Sequence, residues 1–312
     1  MQIIIGRLAL LAEKIRNQTE IDSYRVFHGR GRTFSGLEFV TVDYFQPVIL
    51  VTLFFEPPLD WLDELVAHLH PLFSTTNSVL VVQRRYLPNS PSEIIWGELP
   101  ESTYARRGHL LFNLHLAQQQ NSGFFLDMEA GRQWLEQHAA GKRVLNLFAY
   151  TCAFSVVAIA AGAEKVVNVD MSSAALNLGR ANHQLNQLAK NKSEFVAENI
   201  LKSWSRVKKP GPYDVVIIDP PSYQKGSFIA EKDYAKVIRR LPELMPSGGL
   251  VLACLNAPEL SEAFLKEQFV EQCPQAIFVE RIKPHADFPD IDPEQQLKLL
   301  VYQLPVSNIQ QT

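Results

Sequence analysis

The sequence predicts a Rossmann-like α/β domain with a mostly parallel sheet, preceded by a smaller α+β domain. Strand-sized apolar segments at Val144–Leu147, Val166–Val169, Phe195–Val196 and Val215–Ile218 alternate with stretches of helical pattern. Each segment runs into a polar residue or a tight turn: Phe148–Phe154, Asp170, Glu198–Asn199 and Asp219-Pro220-Pro221. Ligands of open α/β sheets bind beyond the carboxyl ends of the strands, where these residues would gather.

At 312 residues the chain exceeds one average domain, and two are expected, over 1–115 and 116–312. Hydrophobic residues make up 46% of it, which excludes a disordered chain. The net charge of −3 argues against binding nucleic acid through bulk charge, though a local basic patch remains open. Cys152, Cys254 and Cys273 are scattered and odd in number, unlike a disulfide framework or a zinc site. The start, Met1–Leu11, is apolar but interrupted by Arg7, with neither a basic leader nor a small-residue cleavage site. Val48–Phe55 is too short to span a bilayer. A soluble, cytoplasmic protein is expected.

In order along the chain, Arg7–Arg16 reads as a helix with Leu8, Leu11 and Ile15 on one side. Leu37–Asp43 and Val48–Phe55 read as strands, Leu59–Phe73 as a helix and Val79–Val82 as a strand. Ile94–Leu116 reads as a hairpin leading to the next domain. From about Ala117 the rhythm becomes strand, helix, strand, helix. Phe154–Ala161 is the first crossover helix, closed by Gly162, and Ser172 or Ser173 caps Ala174–Leu185. A helix near Asp233–Leu244, a strand at Leu250–Leu255 and a helix at Glu259–Gln272 follow. Strands at Ile277–Ile282 and Gln296–Gln303, joined by a Pro- and Asp-rich loop, suggest an antiparallel edge hairpin.

Three stretches carry chemistry. Asp170 ends an apolar strand about two dozen residues after Asn146, where a carboxylate can accept from both ribose hydroxyls. The plainer reading of such an acid is a charge favoured by the following helix dipole. The turn from Asn146 to Phe154 has no glycine, so a pyrophosphate finds no open backbone cradle there. S-adenosylmethionine (SAM) carries no phosphate and suits a bulkier turn, which counts against a nicotinamide-dependent enzyme. In Asp219-Pro220-Pro221-Ser222-Tyr223 two prolines fix the backbone and remove N–H donors, leaving carbonyls for a ligand. The Asp219 carboxylate can accept from a base amino group, and Tyr223 offers a stacking face. The plainer reading is a Pro-stiffened loop with a buried Tyr.

These stretches resemble class I SAM-dependent methyltransferases. Within them the chain is similar to the bacterial 23S ribosomal RNA base methyltransferases of the large-subunit I and K types. The resemblance rests on Gly123-Phe124-Phe125-Leu126-Asp127 with Arg132, on Val144–Thr151, on Val169-Asp170, and on Asp219-Pro220-Pro221-Ser222. Ile21–Arg25 and Leu37–Asp43 look like the small domain that precedes the catalytic one in that family. The cytosine type begins with an additional RNA-binding PUA domain, for which this chain has no room. The resemblance implies a seven-stranded sheet with its last strand antiparallel. It further implies a loop of Asn146, Phe148, Ala149, Tyr150 and Thr151 around the methionine part of SAM, and Asp170 with Met171 at the ribose. Glu198 and Asn199 would hold the adenine, Asp219 would face the methyl group, and Phe125, Asp127 and Arg132 would close over the cofactor.

The chain departs from the family at three points. Cys152-Ala153 stand where Gly-Gly or Gly-x is usual, implying a tighter methionine end, and Asn199 stands where Asp commonly accepts from the adenine amino group. Methylation of a pyrimidine C5 needs a thiolate to add at C6. The position implied for that cysteine is Asn256, and Cys254 lies two residues earlier on the strand, roughly 6–7 Å away. The guanine-N7 type also has Asn there, and N7 needs no general base. The expected function is therefore methyl transfer to an RNA base, ribosomal by resemblance, at a ring or amino nitrogen, with Asp219, Pro220, Pro221 and Tyr223 orienting the base and Asn256 nearby. No metal and no membrane are expected, and monomer and homodimer stay open. The alternatives are exocyclic amino methylation of DNA or RNA, and a non-catalytic SAM- or RNA-binding module. Basic pairs at Arg30/Arg32, Arg84-Arg85, Arg106-Arg107, Lys208-Lys209 and Arg239-Arg240 are candidates for phosphate contacts, and His285 and Asp287 for the substrate.

Overall fold

The computed structural model describes residues 1–116, 121–224 and 226–305, so the expected change of rhythm at Ala117 lies outside the described residues. It divides into two units: Met1–Leu126 with His285–Ile291, and Asp127–Pro284 with the chain from Asp292 onward. The division thus comes later than the boundary expected at 115, and it assigns His285–Ile291 to the first unit.

In the first unit α1 (Gln2–Asn17) extends at both ends past the expected helix and buries Ile4, Leu8, Leu11 and Ala12, a one-face spacing. The strand β1 (Tyr24–His28) was not expected, because Tyr-Arg-Val-Phe-His carries no clean alternation. There follow β2 (Val40–Phe45), β3 (Val48–Leu53), α2 (Trp61–Phe73), β4 (Val79–Arg84) and β5 (Ser92–Trp96). They form a five-stranded sheet in the order β1-β2-β3-β4-β5. Only β3 and β4 run parallel, because α2 crosses between them. The expected hairpin from Ile94 is split: β5 joins this sheet, while β6 (Thr103–Arg107) and β7 (Leu110–Leu114) pair by themselves.

The second unit opens with α3 (Glu129–His138), β8 (Arg143–Leu147), α4 (Ala153–Ala160), β9 (Lys165–Asp170), α5 (Ser173–Leu185) and β10 (Ser193–Ala197). It continues with α6 (Trp204–Lys208), β11 (Val215–Ile218), the short strands β12 (Tyr223–Gln224) and β13 (Phe228–Ile229), and α7 (Ala230–Ile238). It closes with α8 (Leu241–Leu244), β14 (Leu250–Leu255), α9 (Glu262–Gln272), β15 (Ile277–Ile282) and β16 (Lys298–Gln303). The helix expected over Asp233–Leu244 is two: Pro242, near the start of α8, brings no N–H to continue α7. The helix expected from Glu259 starts later, at Glu262, after Ser261, whose hydroxyl caps it by accepting from Phe264 N.

The seven-stranded sheet has the order β10-β9-β8-β11-β14-β16-β15. β16 runs antiparallel to β14 and to β15, the edge strand. Strand residues alternate between two cores. Leu145, Leu147, Val216, Ile218, Val251 and Ala253 pack with α7 and α9 residues such as Val237, Leu265 and Phe269. Val144, Val166, Val215, Ile217 and Leu252 pack with Trp134, Leu135, Phe154 and Ala158 of α3 and α4. Each fully buried Val, Leu, Ile or Phe among them contributes about 1.5–3 kcal/mol, so the sheet is a stiff base for the turns at its carboxyl edge.

Candidate active site

Leu147 and Ile218 are register partners on neighbouring parallel strands, so the turns beginning at Phe148 and Asp219 leave the sheet side by side. Asp170 ends the strand on the other side of β8.

The first turn makes up for its missing glycines with strain. Phe148, Tyr150 and Cys152 have φ of 59°, 45° and 60°, the left-handed region that costs a non-glycine residue about 1–3 kcal/mol. Hydrogen bonds fix it. Ala149 N donates to Val169 O at 3.1 Å, Cys152 N to Ala149 O at 2.7 Å, Tyr150 N to the Asp170 carboxylate at 2.9 Å, and Asn182 Nδ2 to Thr151 O at 3.0 Å. Room for the Cys152 side chain comes from Gly179 on α5, where an added Cβ would lie 2.4 Å from Cys152 Sγ. The tighter turn read from Cys152-Ala153 is therefore accommodated from a helix distant in sequence.

Asp170 receives Tyr150 N on one oxygen and Ser172 N, at 2.8 Å, on the other. A carboxylate has about four acceptor sites, so one per oxygen remains for a vicinal diol. This fits the ribose of SAM. Met171 beside it is 47% exposed. Glu198 accepts from Ser203 Oγ at 3.0 Å and pairs with Arg206. The Asn199 side-chain carbonyl accepts from Leu201 N at 3.0 Å, so part of its capacity for an adenine amino group already caps the local turn.

Behind these residues runs a buried polar chain that sequence reasoning reached only at Asn146. Asn146 Nδ2 donates to Asn168 Oδ1 at 2.9 Å, and Asn168 Nδ2 donates to Ser155 Oγ at 3.0 Å. Ser155 Oγ lies 2.9 Å from His183 Nε2, and burial holds the His183 pKa down to about 4, leaving a neutral ring. Asn146 and Thr151 are themselves buried. The signal was present: Asn146 and Asn168 are polar residues at matching places in two otherwise apolar strands.

Past β11 the chemistry changes. Asp219 follows the strand with its carboxyl pKa raised to about 7, chiefly by burial and then by the charge of Asp127, with Arg132 opposing. Arg132 is buried and its Nε donates to Glu129 at 3.1 Å. Among the described residues, no hydrogen bond reaches the carbonyl of Pro220 or of Pro221. Tyr223 is 65% exposed, a correction to the buried alternative, and pairs with Ile229 in the β12–β13 hairpin. Phe228 of that hairpin meets Phe148 edge to face at 4.8 Å, linking the two turns. The Tyr234 hydroxyl, also missed, lies 3.0 Å from Cys254 O and 3.3 Å from Ile218 O, clamping the ends of β14 and β11. Asn256 is exposed just beyond β14, whereas Cys254 is fully buried and its thiol pKa is pushed up by burial and by Asp219. Phe125 is 42% exposed and belongs to the first unit, as do His285 and Asp287.

A Rossmann-like sheet with a ribose-ready carboxylate and an acidic Pro-Pro turn defines a class of cofactor-dependent transferases. Residues 24–303 match the S-adenosylmethionine-dependent methyltransferase family, and the chain belongs to it. It is a SAM-dependent methyltransferase. Ribosomal RNA large subunit methyltransferase I of Serratia proteamaculans (strain 568) is 29% identical over 285 residues, covering 87% of this chain and 71% of that protein. A candidate SAM-dependent methyltransferase from Streptococcus mutans superposes with a TM-score of 0.82 at 27% identity, covering 96% of this chain and 80% of that one. A methyltransferase structure complexed with S-adenosylhomocysteine (SAH) does so with a TM-score of 0.83 at 27% identity and the same coverage. Among the described residues no helix is long and apolar enough to cross a membrane, and no cluster of acidic, His and Cys side chains could hold a metal ion.

Proposed function

We propose that this enzyme methylates a base of RNA, ribosomal RNA in the first instance, at a ring or amino nitrogen and not at cytosine C5. The observation that carries the choice of atom is the absence of a usable thiol: Asn256 occupies the exposed place after β14, and Cys254 is sealed in the core. The ribosomal substrate is supported by the name of the Serratia relative.

Bound SAM supplies an electrophilic methyl group on a sulfonium. Asp170 holds the ribose, Glu198 and Asn199 flank the adenine, and the strained Phe148–Cys152 turn encloses the methionine end, with Phe125, Asp127 and Arg132 completing the cofactor side. Tyr223 stacks on the target base, and the open Pro220 and Pro221 carbonyls with Asp219 orient it. SAM held there would supply its methyl group to a nitrogen lone pair, and these residues would act by aligning the acceptor and excluding water. The open carbonyls together with an Asp219 that titrates near neutrality favour one second reading, transfer to an exocyclic amine, whose leaving proton Asp219 could take.

The test is nucleoside mass spectrometry of ribosomal RNA from a strain lacking the protein, before and after adding purified enzyme and SAM. A missing methylated base that returns supports the reading, and its identity as 7-methylguanine or an N-methylated amine separates the two forms. Restored 5-methylcytosine, lost again with Cys254→Ser, would overturn it. No change in ribosomal RNA would move the substrate elsewhere.

A further inference from the structure

The first unit carries basic residues that the methyl-transfer site does not use, and the structure sorts them. Arg25 pairs with Asp43, Arg32 with Asp290 at 3.3 Å, and Arg84 with Glu93 at 2.7 Å. Arg106 reaches Glu20 at 3.1 Å. These guanidiniums are neutralised within the unit.

Arg85 is different. It follows β4 directly, as Phe54 follows β3, and Leu53 and Arg84 are register partners, so Phe54 and Arg85 emerge together from the parallel pair. Arg85 N donates to Leu53 O at 2.8 Å, and Phe54 N to Phe39 O at 2.7 Å, which fixes both backbones. The Arg85 guanidinium lies 5.4 Å from the centre of the Phe54 ring, and that of Arg30, from the turn after β1, lies 4.3 Å from the same centre. Among the described residues Arg85 has no carboxylate partner. Burial and the charge of Arg30 both act against its protonated form. His28 nearby stays neutral, its pKa lowered to about 3 by burial and by Arg25 and Arg30.

Two guanidiniums drawn to one aromatic ring, at least one of them without an anion, repel each other at short range. The ring offsets that only in part, since a cation–π contact contributes about 0.5–2 kcal/mol. An external anion would relieve the remainder, and a planar guanidinium fork matches a phosphate.

We propose that Arg30 and Arg85, mounted on Phe54, form a binding site for a backbone phosphate of the RNA substrate. The inference rests on the RNA reading above and adds to it a defined contact in the first unit. An open groove lined by Glu38, Glu56, Asp60, Asp63 and Arg84 adjoins these strand ends, and neither Arg30 nor Arg85 lines it.

The experiment measures binding of protein-free bacterial large-subunit ribosomal RNA across a range of salt, with SAM affinity and melting temperature recorded for each protein. Loss of one phosphate contact lowers the slope of log K against log salt by about 0.7–0.9. Arg85→Ala is expected to show that loss with binding weakened roughly fivefold at moderate salt, and SAM affinity unchanged. Arg85→Lys keeps a point charge and should recover the slope, which guards against a folding defect in the alanine variant. Arg239→Ala, on α7's exposed end and held by Gln272, should leave the slope as it was. RNA binding by the parent with an unaltered slope in folded Arg85→Ala would overturn the phosphate site alone. No RNA binding by the parent would overturn the RNA reading and this site with it.

Discussion

Two neighbouring turns leave the same sheet edge, and they bear their functional burden in different ways. The turn at Phe148–Cys152 holds three left-handed non-glycine residues, and its hydrogen bonds are largely satisfied inside the protein. The turn at Asp219–Tyr223 is stiffened by proline and, among the described residues, leaves the Pro220 and Pro221 carbonyls open, with a carboxyl group displaced from its ordinary titration range. The first stores its cost in backbone geometry. The second stores its cost in electrostatics. On the proposed reading the first turn serves the cofactor and the second the acceptor, and the two differ in what a mutation should release.

The largest effect is expected at Asp219. Asp219→Asn should lower methyl transfer by about 100-fold, the equivalent of about 2.7 kcal/mol of barrier, with SAM affinity nearly intact. The same variant should melt higher than the parent at pH 8. The raised pKa means that the stability the protonated group contributes is full below 3.8, its ordinary value, and is lost as pH rises through about 7. The gap should close by pH 4, and a variant that melts lower than the parent at pH 8 would break the contrast between the turns. Next comes Asp170→Ala, which removes the acceptor of two backbone N–H groups and of the proposed ribose contact. SAM affinity, read by calorimetry, should fall at least tenfold, since a hydrogen bond to a charged group contributes about 1.5–3 kcal/mol.

A smaller effect probes where the first turn keeps its room. Gly179→Ala forces a Cβ against Cys152 Sγ and should cost about 1–3 kcal/mol in chemical denaturation. Adding Cys152→Gly should recover most of it, because the obstructing sulfur goes and the left-handed position gains a residue that tolerates it. Additive losses in the double variant would show that the two positions are not coupled. The smallest effect is expected at Asn199→Asp: the cap to Leu201 N is kept, so SAM affinity should change less than about threefold.

Much of this was legible beforehand, and the gaps have physical reasons. The strand at Val215–Ile218 and the strand at Leu250–Leu255 match the sequence reading residue for residue, because apolar runs bounded by turn formers leave little choice. Ser172 caps α5 as its hydroxyl suggested. β1 was invisible, since its membership of a sheet depends on Thr41–Tyr44 opposite it and not on its own pattern. The shape of the cofactor turn was hidden as well: three left-handed residues without glycine are held by Asp170, Asn182 and Gly179, all from later in the chain. The pairing of Arg84 with Glu93, against the unpaired Arg85 beside it, likewise depends on a strand that arrives afterwards.

The segment His285–Ile291 joins the first unit although β15 and β16 on either side of it belong to the second. Ile291 N donates to Gly31 O at 3.0 Å, and Gly31 lies so close to Pro289 that an added Cβ would fall 1.8 Å from its carbonyl oxygen. Phe288 supplies a ring 4.8 Å from the Arg25 guanidinium. The polypeptide therefore passes between the units after Leu126, after Pro284 and after Ile291. Neither can be inherited, swapped or expressed by one cut in the gene: a fragment ending at Leu126 would reach the solvent with its Gly31 surface bare.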